Sequence, residues 1–419
     1  MPLRVSAATA ALLVLGALPG AARSQSMPDM PGMAMPDTAT SLQAAPPSSG
    51  MTMPDMDMDG GAMDDMAPPG QGWMIMTHGQ LSAVADHQSG PRGGDKTFIE
   101  GMVMIMASHA FDASNAIELT AMLSPDAFMG KSGYPLLLQT GETADGIHPL
   151  VDRQHPHDLF MGLTAKLTHR LGNDSKAFVL VGYPGEFAFG PTAFMHRASG
   201  EDFPTAPISH HWLDSGHITM GVVTAGLAKG PFQLEVSQFT GREPDQYRFN
   251  LDPIRLDSTA VRLTWTPMAG LSAQASWARQ VSPEQLEPLV NLDKRAFSVE
   301  YAKGPLSSTL AYGWRQGEHG LAAATYAWLF ENRWRFNPQW EGLARFEHVY
   351  NDELAPGVYH VAKFEIGGAR RFDLGHGTDL ALGVVRQFNF VPDALKPAYG
   401  AHPEGVVAFM TLSFHTMKM

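Results

Sequence analysis

From Trp73 onward, apolar and polar positions fall into partial period-2 alternation, in runs of roughly 9–15 residues separated by turn residues. The clearest run is 333–348. Its odd positions carry Arg333, Arg335, Asn337, Gln339, Glu341, Leu343, Arg345 and Glu347, while its even positions include Trp334, Phe336, Trp340 and Phe346. One charged face and one aromatic face describe a strand with water on one side and lipid on the other. Run 270–280 behaves alike, with Leu271, Ala273, Ala275 and Trp277 opposing Ser272, Gln274, Ser276 and Gln280. The pattern predicts strands at 74–86, 98–109, 114–123, 158–170, 175–182, 216–228, 231–240, 256–266, 270–280, 294–303, 306–315, 320–331, 333–348, 358–373, 376–390 and 404–415.

The connections between these runs alternate in length. Short turns at 112–113, 171–174, 229–231, 267–270, 304–306, 331–332 and 375–377 separate longer connections at 87–97, 124–157, 183–215, 241–255, 281–293, 349–357 and 391–403, with 316–319 completing the longer set. Outer-membrane barrels have short periplasmic turns and longer external loops, and an even strand count returns both termini to the periplasm. The expected fold is therefore an all-β transmembrane antiparallel β-barrel of about 16 strands, with 14 as the alternative count. A soluble β-sandwich accounts for single alternating runs but not for strand length, charged inner faces and loop asymmetry together. The last predicted strand contains Phe414 but the chain runs on to Met419, so the terminal aromatic residue usual in such barrels is displaced or missing.

The N-terminus adds a compartment. Arg4, an apolar stretch over 5–18 and small residues around Ala22 and Ser24 form a secretory signal peptide, and residues 1–24 are set aside from the fold. The chain has no cysteine, which excludes a disulfide scaffold, thiolate ligands and a cysteine nucleophile. A net charge of −13 without a basic block argues against nucleic acid as a partner.

Residues 25–72 have a different texture. Met27, Met30, Met33, Met35, Met51, Met53, Met56, Met58, Met63 and Met66 are interspersed with Asp, Pro, Gly and Ser, a composition expected of a disordered tail. Thioethers are soft neutral donors that favour Cu(I) and Ag(I), and clusters such as Met27-Pro-Asp-Met30-Pro-Gly-Met33-Ala-Met35 can wrap several sulfurs around one ion. Asp29, Asp55, Asp57, Asp59, Asp64 and Asp65 add long-range attraction for cations. A solubilising or oxidant-scavenging tail is the plainer alternative.

Histidines gather in the two longest connections. His155 and His157 flank Pro156, and Ser209-His210-His211-Trp212-Leu213-Asp214 is followed by His217. Imidazole with carboxylate suits Cu(II), Zn, Ni or Fe, which makes His155, His157, His210, His211, Asp214 and His217 candidate metal ligands. Hydrogen-bond networks pinning loops inside a barrel explain the same residues without a metal. His211, Asp214 and His217 share a face only if that stretch is helical. Ser209, His210 and Asp214 supply the residue types of a catalytic trio, but no Gly-x-Ser-x-Gly elbow accompanies them. Segments 241–246 and 282–288 read as polar loop networks. Arg262, Arg333, Arg335, Glu341 and Arg345 read as a charged lumen lining of mixed sign.

A signal peptide, a methionine- and aspartate-rich segment and a barrel together resemble the plan of the copper-resistance outer-membrane protein B family, whose tails often also contain the histidine that 25–72 lacks. Residues 129–146, 152–158 and 207–214 resemble bacterial outer-membrane barrel proteins associated with heavy-metal efflux loci. That second resemblance covers roughly residues 73–419 and brings no activity with it. The expectation is an outer-membrane protein of copper or other soft-metal binding, resistance or transport. Its tail would lie in the periplasm beside a periplasmic metal-handling protein and its barrel in outer-membrane lipid. A porin-like solute channel with an incidental tail and a lipid-modifying enzyme are the alternatives.

Overall fold

The computed structural model describes residues 72–320 and 322–418. The ten tail methionines, from Met27 to Met66, lie outside the described residues. Among those described, no helix is long and apolar enough to cross a membrane.

Eighteen strands form in chain order. They are β1 (Met74–Gln88), β2 (Gly94–Ala110), β3 (Asn115–Leu123), β4 (Tyr134–Thr143), β5 (Pro149–Gln154), β6 (Phe160–Arg170), β7 (Ser175–Gly182), β8 (Val222–Lys229) and β9 (Phe232–Phe239), then β10 (Ser258–Met268), β11 (Leu271–Gln280), β12 (Leu292–Lys303), β13 (Leu306–Gly317), β14 (Thr325–Asn337), β15 (Trp340–Asn351), β16 (Tyr359–Gly375), β17 (Thr378–Phe390) and β18 (Glu404–Lys418). Sixteen of them close into one antiparallel barrel, in which β1 pairs with β18 and β3 pairs with β6. The remaining two, β4 and β5, pair only with each other.

The expected strand count stands, and boundaries are corrected: 216–221, expected as the start of a strand, precedes β8 and belongs to the connection before it. Run 333–348 is not a single strand. It is the end of β14 and most of β15, and the tight turn lies at 338–339 rather than 331–332. Asn337 Oδ1 accepts from the backbone N–H groups of Gln339 and Trp340 at 2.9 and 3.0 Å, and Pro338 has no N–H to offer a continuing ladder. A register shift between Arg335 and Asn337 leaves odd-numbered residues facing inward on both arms, so the alternation passes through the turn undisturbed. The first long connection also shrinks, to residues 89–93, because β1 and β2 extend each other's ladder from Gln88 to Gly94.

The outer face is apolar. Ile99, Leu119, Val179, Leu234, Val299, Leu310, Ile366 and Val384 project outward from successive strands. Aromatic residues mark its two rims, with Phe232, Trp265, Trp334, Phe336 and Trp340 near the short turns and Trp328 and Phe390 toward the long connections. An apolar band between aromatic girdles is the surface of a barrel that faces lipid. Phe414 sits directly opposite Gly79, where a Cβ would lie 2.3 Å from the ring, and β18 continues past it to pair Lys418 with Ile75. The residues after Phe414 are thus spent on closing the barrel.

The inner face is filled by protein. Segments 124–159 and 183–221 fold inward. Tyr134, Leu136, Leu137 and Leu138 from the first pack with Phe203, Ile208, Trp212 and Leu213 from the second. The wall makes room with small inward residues, among them Ala260, Ala278, Ala296, Ala311 and Ala327. Phe187 stacks on the wall residue Phe239 with ring centres 3.7 Å apart. Tyr134 stacks on Phe98 at 4.5 Å and accepts a hydrogen bond from Ala206 N at 3.0 Å, which ties the two segments together.

Candidate functional site

Charged wall residues dock the infolded segments. Arg345 donates to Glu331 at 2.6 Å, to Glu365 at 3.0 Å and to the backbone oxygen of Thr205 at 3.0 Å. Arg333 meets Asp202 at 2.7 Å, Arg371 meets Asp202 and Glu341, and Arg262 meets Glu235 at 2.9 Å. The residues expected to line a lumen therefore do face inward, and their partners lie partly on the wall and partly on the segments that fill it. Between wall and segment 183–221 remains a cavity of about 150 Å³ lined by Lys166, Glu186, His196, Glu235 and Arg262 among others. Burial lowers the His196 imidazole to about 4, with His78 contributing.

The two histidine strings meet in space. β5 ends at Gln154, and the extended His155-Pro156-His157 that follows carries its rings side by side, centres 6.5 Å apart. The second string is a single helical turn, α1 (His210–Leu213), followed by a 3₁₀ turn at Ser215–His217. Its spacing brings His210 Nδ1 within 2.7 Å of Asp214 Oδ1 and His217 Nδ1 within 2.8 Å of the Asp214 backbone oxygen. Successive ring centres run from His157 to His217 at 5.1 Å, to His210 at 5.1 Å, to His211 at 5.4 Å, to His155 at 5.8 Å and back to His157. All five rings, with Glu142, Glu243 and Arg248, line a cavity of about 20 Å³.

Each ring has a different setting. His157 Nδ1 faces Asp126 Oδ2 at 2.9 Å, and its Nε2 lies 3.3 Å from Nε2 of His217. His155 Nε2 faces Glu142 Oε1 at 3.2 Å. His211 packs against Gly141, where an added Cβ would lie 2.4 Å from the ring, and neither of its buried nitrogens has a hydrogen-bond partner. Burial holds His155, His211 and His217 well below the ordinary imidazole value, with nearby imidazoles and, for His155, Arg248 adding to it. Burial also raises Glu142 to about 8 against the opposing guanidinium of Arg248, and raises Glu243 and Glu284. At Asp214 the burial effect is overridden by the His210 hydrogen bond and by Arg197, so its carboxyl stays below the usual range.

The structure thus brings together His155, His157, His210, His211 and His217 from the expected ligand set. Asp214 stands behind them, because one oxygen is engaged by His210 and the other by Arg197 at 2.9 Å. Ser209 does not join a catalytic trio. Its hydroxyl donates to Glu347 Oε1 at 2.7 Å, while His210 is turned to Asp214. Asp126, Glu243 and Glu284 were not legible as parts of a site. Segments 241–246 and 282–288 do form polar loop networks, and they also place Glu243 and Glu284 so that each offers an oxygen within 4.8 Å of a His211 nitrogen and of the other.

A second interior cluster is sulfur-rich. Met102, Met104, Met122, Met161 and Met220 are buried together with Ile218, and Met106 and Met195 pack against them. No run in the sequence marks this group, because its members are scattered over β2, β3, β6 and segment 183–221. Their even positions on β2 (102, 104 and 106) were the available signal.

No protein-family model and no curated protein sequence matches the chain. Solved structures do. OmpF of Salmonella typhi in complex with daunomycin superposes with a TM-score of 0.55 at 9% identity, covering 81% of this chain and 97% of that one. The anion-selective porin from Comamonas acidovorans gives 0.53 at 12%, covering 82% and 100%. A loop L8 deletion mutant of the outer-membrane protein OmpT of Vibrio cholerae gives 0.51 at 8%, covering 83% and 100%. The fold is that of the outer-membrane porins. The resemblances to the copper-resistance family and to efflux-associated proteins gain no support from these likenesses.

Proposed function

We propose that the chain is a porin-type passage of the bacterial outer membrane, held nearly shut by segments 124–159 and 183–221, for small ionic solutes. The observation that supports this best is the docking of charged wall residues onto segment 183–221, which elsewhere leaves a charged cavity of about 150 Å³ against the wall. Buried ion pairs of this kind fix one arrangement more than they stabilise it, which suits a part that must sit in place and be released. The porin-like alternative thereby becomes the leading reading, with a constricted lumen. The experiment is planar-bilayer conductance of the refolded chain and of Arg197→Ala, which removes a contact between segment 183–221 and the wall. Small steps in the parent that grow in the variant support the passage, and silence from both rules it out.

Soft-metal handling is the second reading, favoured by one observation. The cluster around Met102, Met104, Met122, Met161 and Met220 lies inside the barrel, and its Ile218 also lines the histidine cavity. Thioethers are donors for Cu(I) and Ag(I), and the tail from Met27 to Met66, reading as periplasmic, carries ten more. In this reading the tail gathers ions delivered by a periplasmic metal-handling protein and the barrel handles them. Titrating Cu(I) or Ag(I) into the mature chain and into one lacking residues 25–72 tests the tail, since equal stoichiometries sink its role.

A further inference from the structure

The passage reading makes no use of the five-histidine ring, whose geometry points to a ligand of its own. Oxygens of a carboxylate and of a backbone carbonyl only accept, so His210 and His217 carry the ring hydrogen on Nδ1, toward Asp214 Oδ1 and Asp214 O, and Asp126 Oδ2 stands 2.9 Å from Nδ1 of His157. Nε2 of His210 and of His217 is left with a lone pair. Nε2 of His217 faces Nε2 of His157 at 3.3 Å inside the protein, a contact closed by a proton on His157 Nε2 or by a cation between the two. Two imidazoles bonded to one tetrahedral ion at about 2.0–2.1 Å hold their nitrogens about 3.3–3.4 Å apart. A carboxylate or carbonyl behind each ring is the outer shell that metal-bound histidines have.

Two further observations agree. The enclosed cavity of about 20 Å³ admits a single ion or water rather than an organic solute. His211 is 3% exposed, lines that cavity and has both nitrogens unpartnered, so the ring holds ligand capacity that no protein group satisfies. The donors lining it are imidazole and carboxylate with no sulfur, a set that suits borderline divalent ions better than Cu(I).

We propose that the ring binds one divalent transition-metal ion of the Zn²⁺, Ni²⁺ or Cu²⁺ class, held by Nε2 of His157 and His217, with its remaining positions supplied from the His210 and His211 side of the cavity. Because the pair joins the connection after β5 to the turn at Ser215–His217, the ion fastens the two infolded segments to each other and stabilises their docking by mass action.

The test uses the full chain, stripped with chelator, refolded in detergent and titrated with Zn²⁺, which the tail's thioethers hold poorly. The expected result is one zinc retained per chain after desalting, with a zinc-edge X-ray absorption spectrum of imidazole nitrogen and no sulfur shell. His157→Ala with His217→Ala removes that equivalent. Asp126→Asn, which changes the contact behind His157 and keeps an oxygen to accept from Gly101 N, weakens it by about 10–100-fold. Absence of retained zinc, a sulfur-dominated shell, or unchanged affinity in both variants overturns the proposal. The site stands apart from the passage reading. A chain that conducts without holding zinc sinks only the metal site, and one that holds zinc while parent and Arg197→Ala are both silent in chelator sinks only the passage.

Discussion

Arg197, on infolded segment 183–221, donates its Nε to Glu331 Oε1 on β14 at 2.9 Å, with both side chains fully buried. The same guanidinium reaches Asp214 Oδ2 and the Thr192 backbone oxygen, each at 2.9 Å, while Glu331 also accepts from Arg345 at 2.6 Å. A continuous chain of charge-assisted bonds therefore runs from the wall through Arg197 and Asp214 to His210. Removing one partner of a buried pair leaves the other charged and unsatisfied, at a cost of about 3–5 kcal/mol. Arg197→Ala is expected to lower the unfolding free energy by that order, read from the fall in the denaturant midpoint. Arg197→Lys is expected to recover little of it, since an ammonium cannot present the planar fork to three acceptors. A midpoint unchanged in Arg197→Ala would show that the contact carries no load.

Gly313 on β13 is the seat of α1. A Cβ there would stand 2.5 Å from the backbone oxygen of Trp212 and 2.8 Å from its Cβ. Trp212 is otherwise well held, by a 3.0 Å bond from its Nε1 to Thr325 and by Arg315 over its ring at 4.3 Å. Gly313→Val suits a strand but collides with the helix. It is expected to leave the barrel's heat-modifiable migration intact while exposing residues 183–221 to limited proteolysis. Protease resistance equal to the parent's would contradict this seating.

The buried histidines and the carboxyls beside them pull the pH response in opposite directions, because burial lowers the former and raises Glu142, Glu243 and Glu284. His155, His211 and His217 titrate near 6.5 when unfolded and well below that value in the ring. Between those values the unfolded chain binds more protons than the folded one. Their contribution is therefore present above 6.5 and lost as pH falls, with a slope of up to about 1.4 kcal/mol per pH unit for each group. In chelator, Glu142→Gln, which removes one opposing carboxyl, should lose amide protection over residues 152–158 and 208–217, corrected for the intrinsic exchange rate, more steeply than the parent from pH 7.5 to 5. Identical pH profiles for the two chains would contradict the assigned signs.

Leu310 tests the membrane face. It is 48% exposed near the middle of β13, where a soluble protein would tolerate a charge. In lipid, Leu310→Arg should cost about 2–4 kcal/mol if it lies near the bilayer midplane. Reduced folding yield into vesicles, with unchanged folding for Ser308→Arg nearer the short-turn rim, is the expected outcome. Equal yields for both would count against a lipid-facing surface.

The period-2 pattern located all sixteen barrel strands, because a wall between lipid and a polar interior forces neighbouring residues to opposite faces. It misplaced 216–221, expected as strand and found in the infolded segment, and the hairpin at Pro338, where a register shift kept odd residues inward on both arms and erased the phase change that marks a turn. The Asn337-Pro338 signal was present and was outweighed by the longer alternation. The histidine strings were equally visible, yet sequence spacing left open whether they met.

What the sequence determined by itself is the barrel, since alternation and loop length are local properties repeated sixteen times. What only the tertiary structure decided is the content of the lumen. His157 and His217 are sixty residues apart and Arg197 and Glu331 more than twice that, and their meetings follow from how two long segments fold back against small wall residues such as Gly313 and Ala311. Such contacts depend on distance in space and leave no period along the chain.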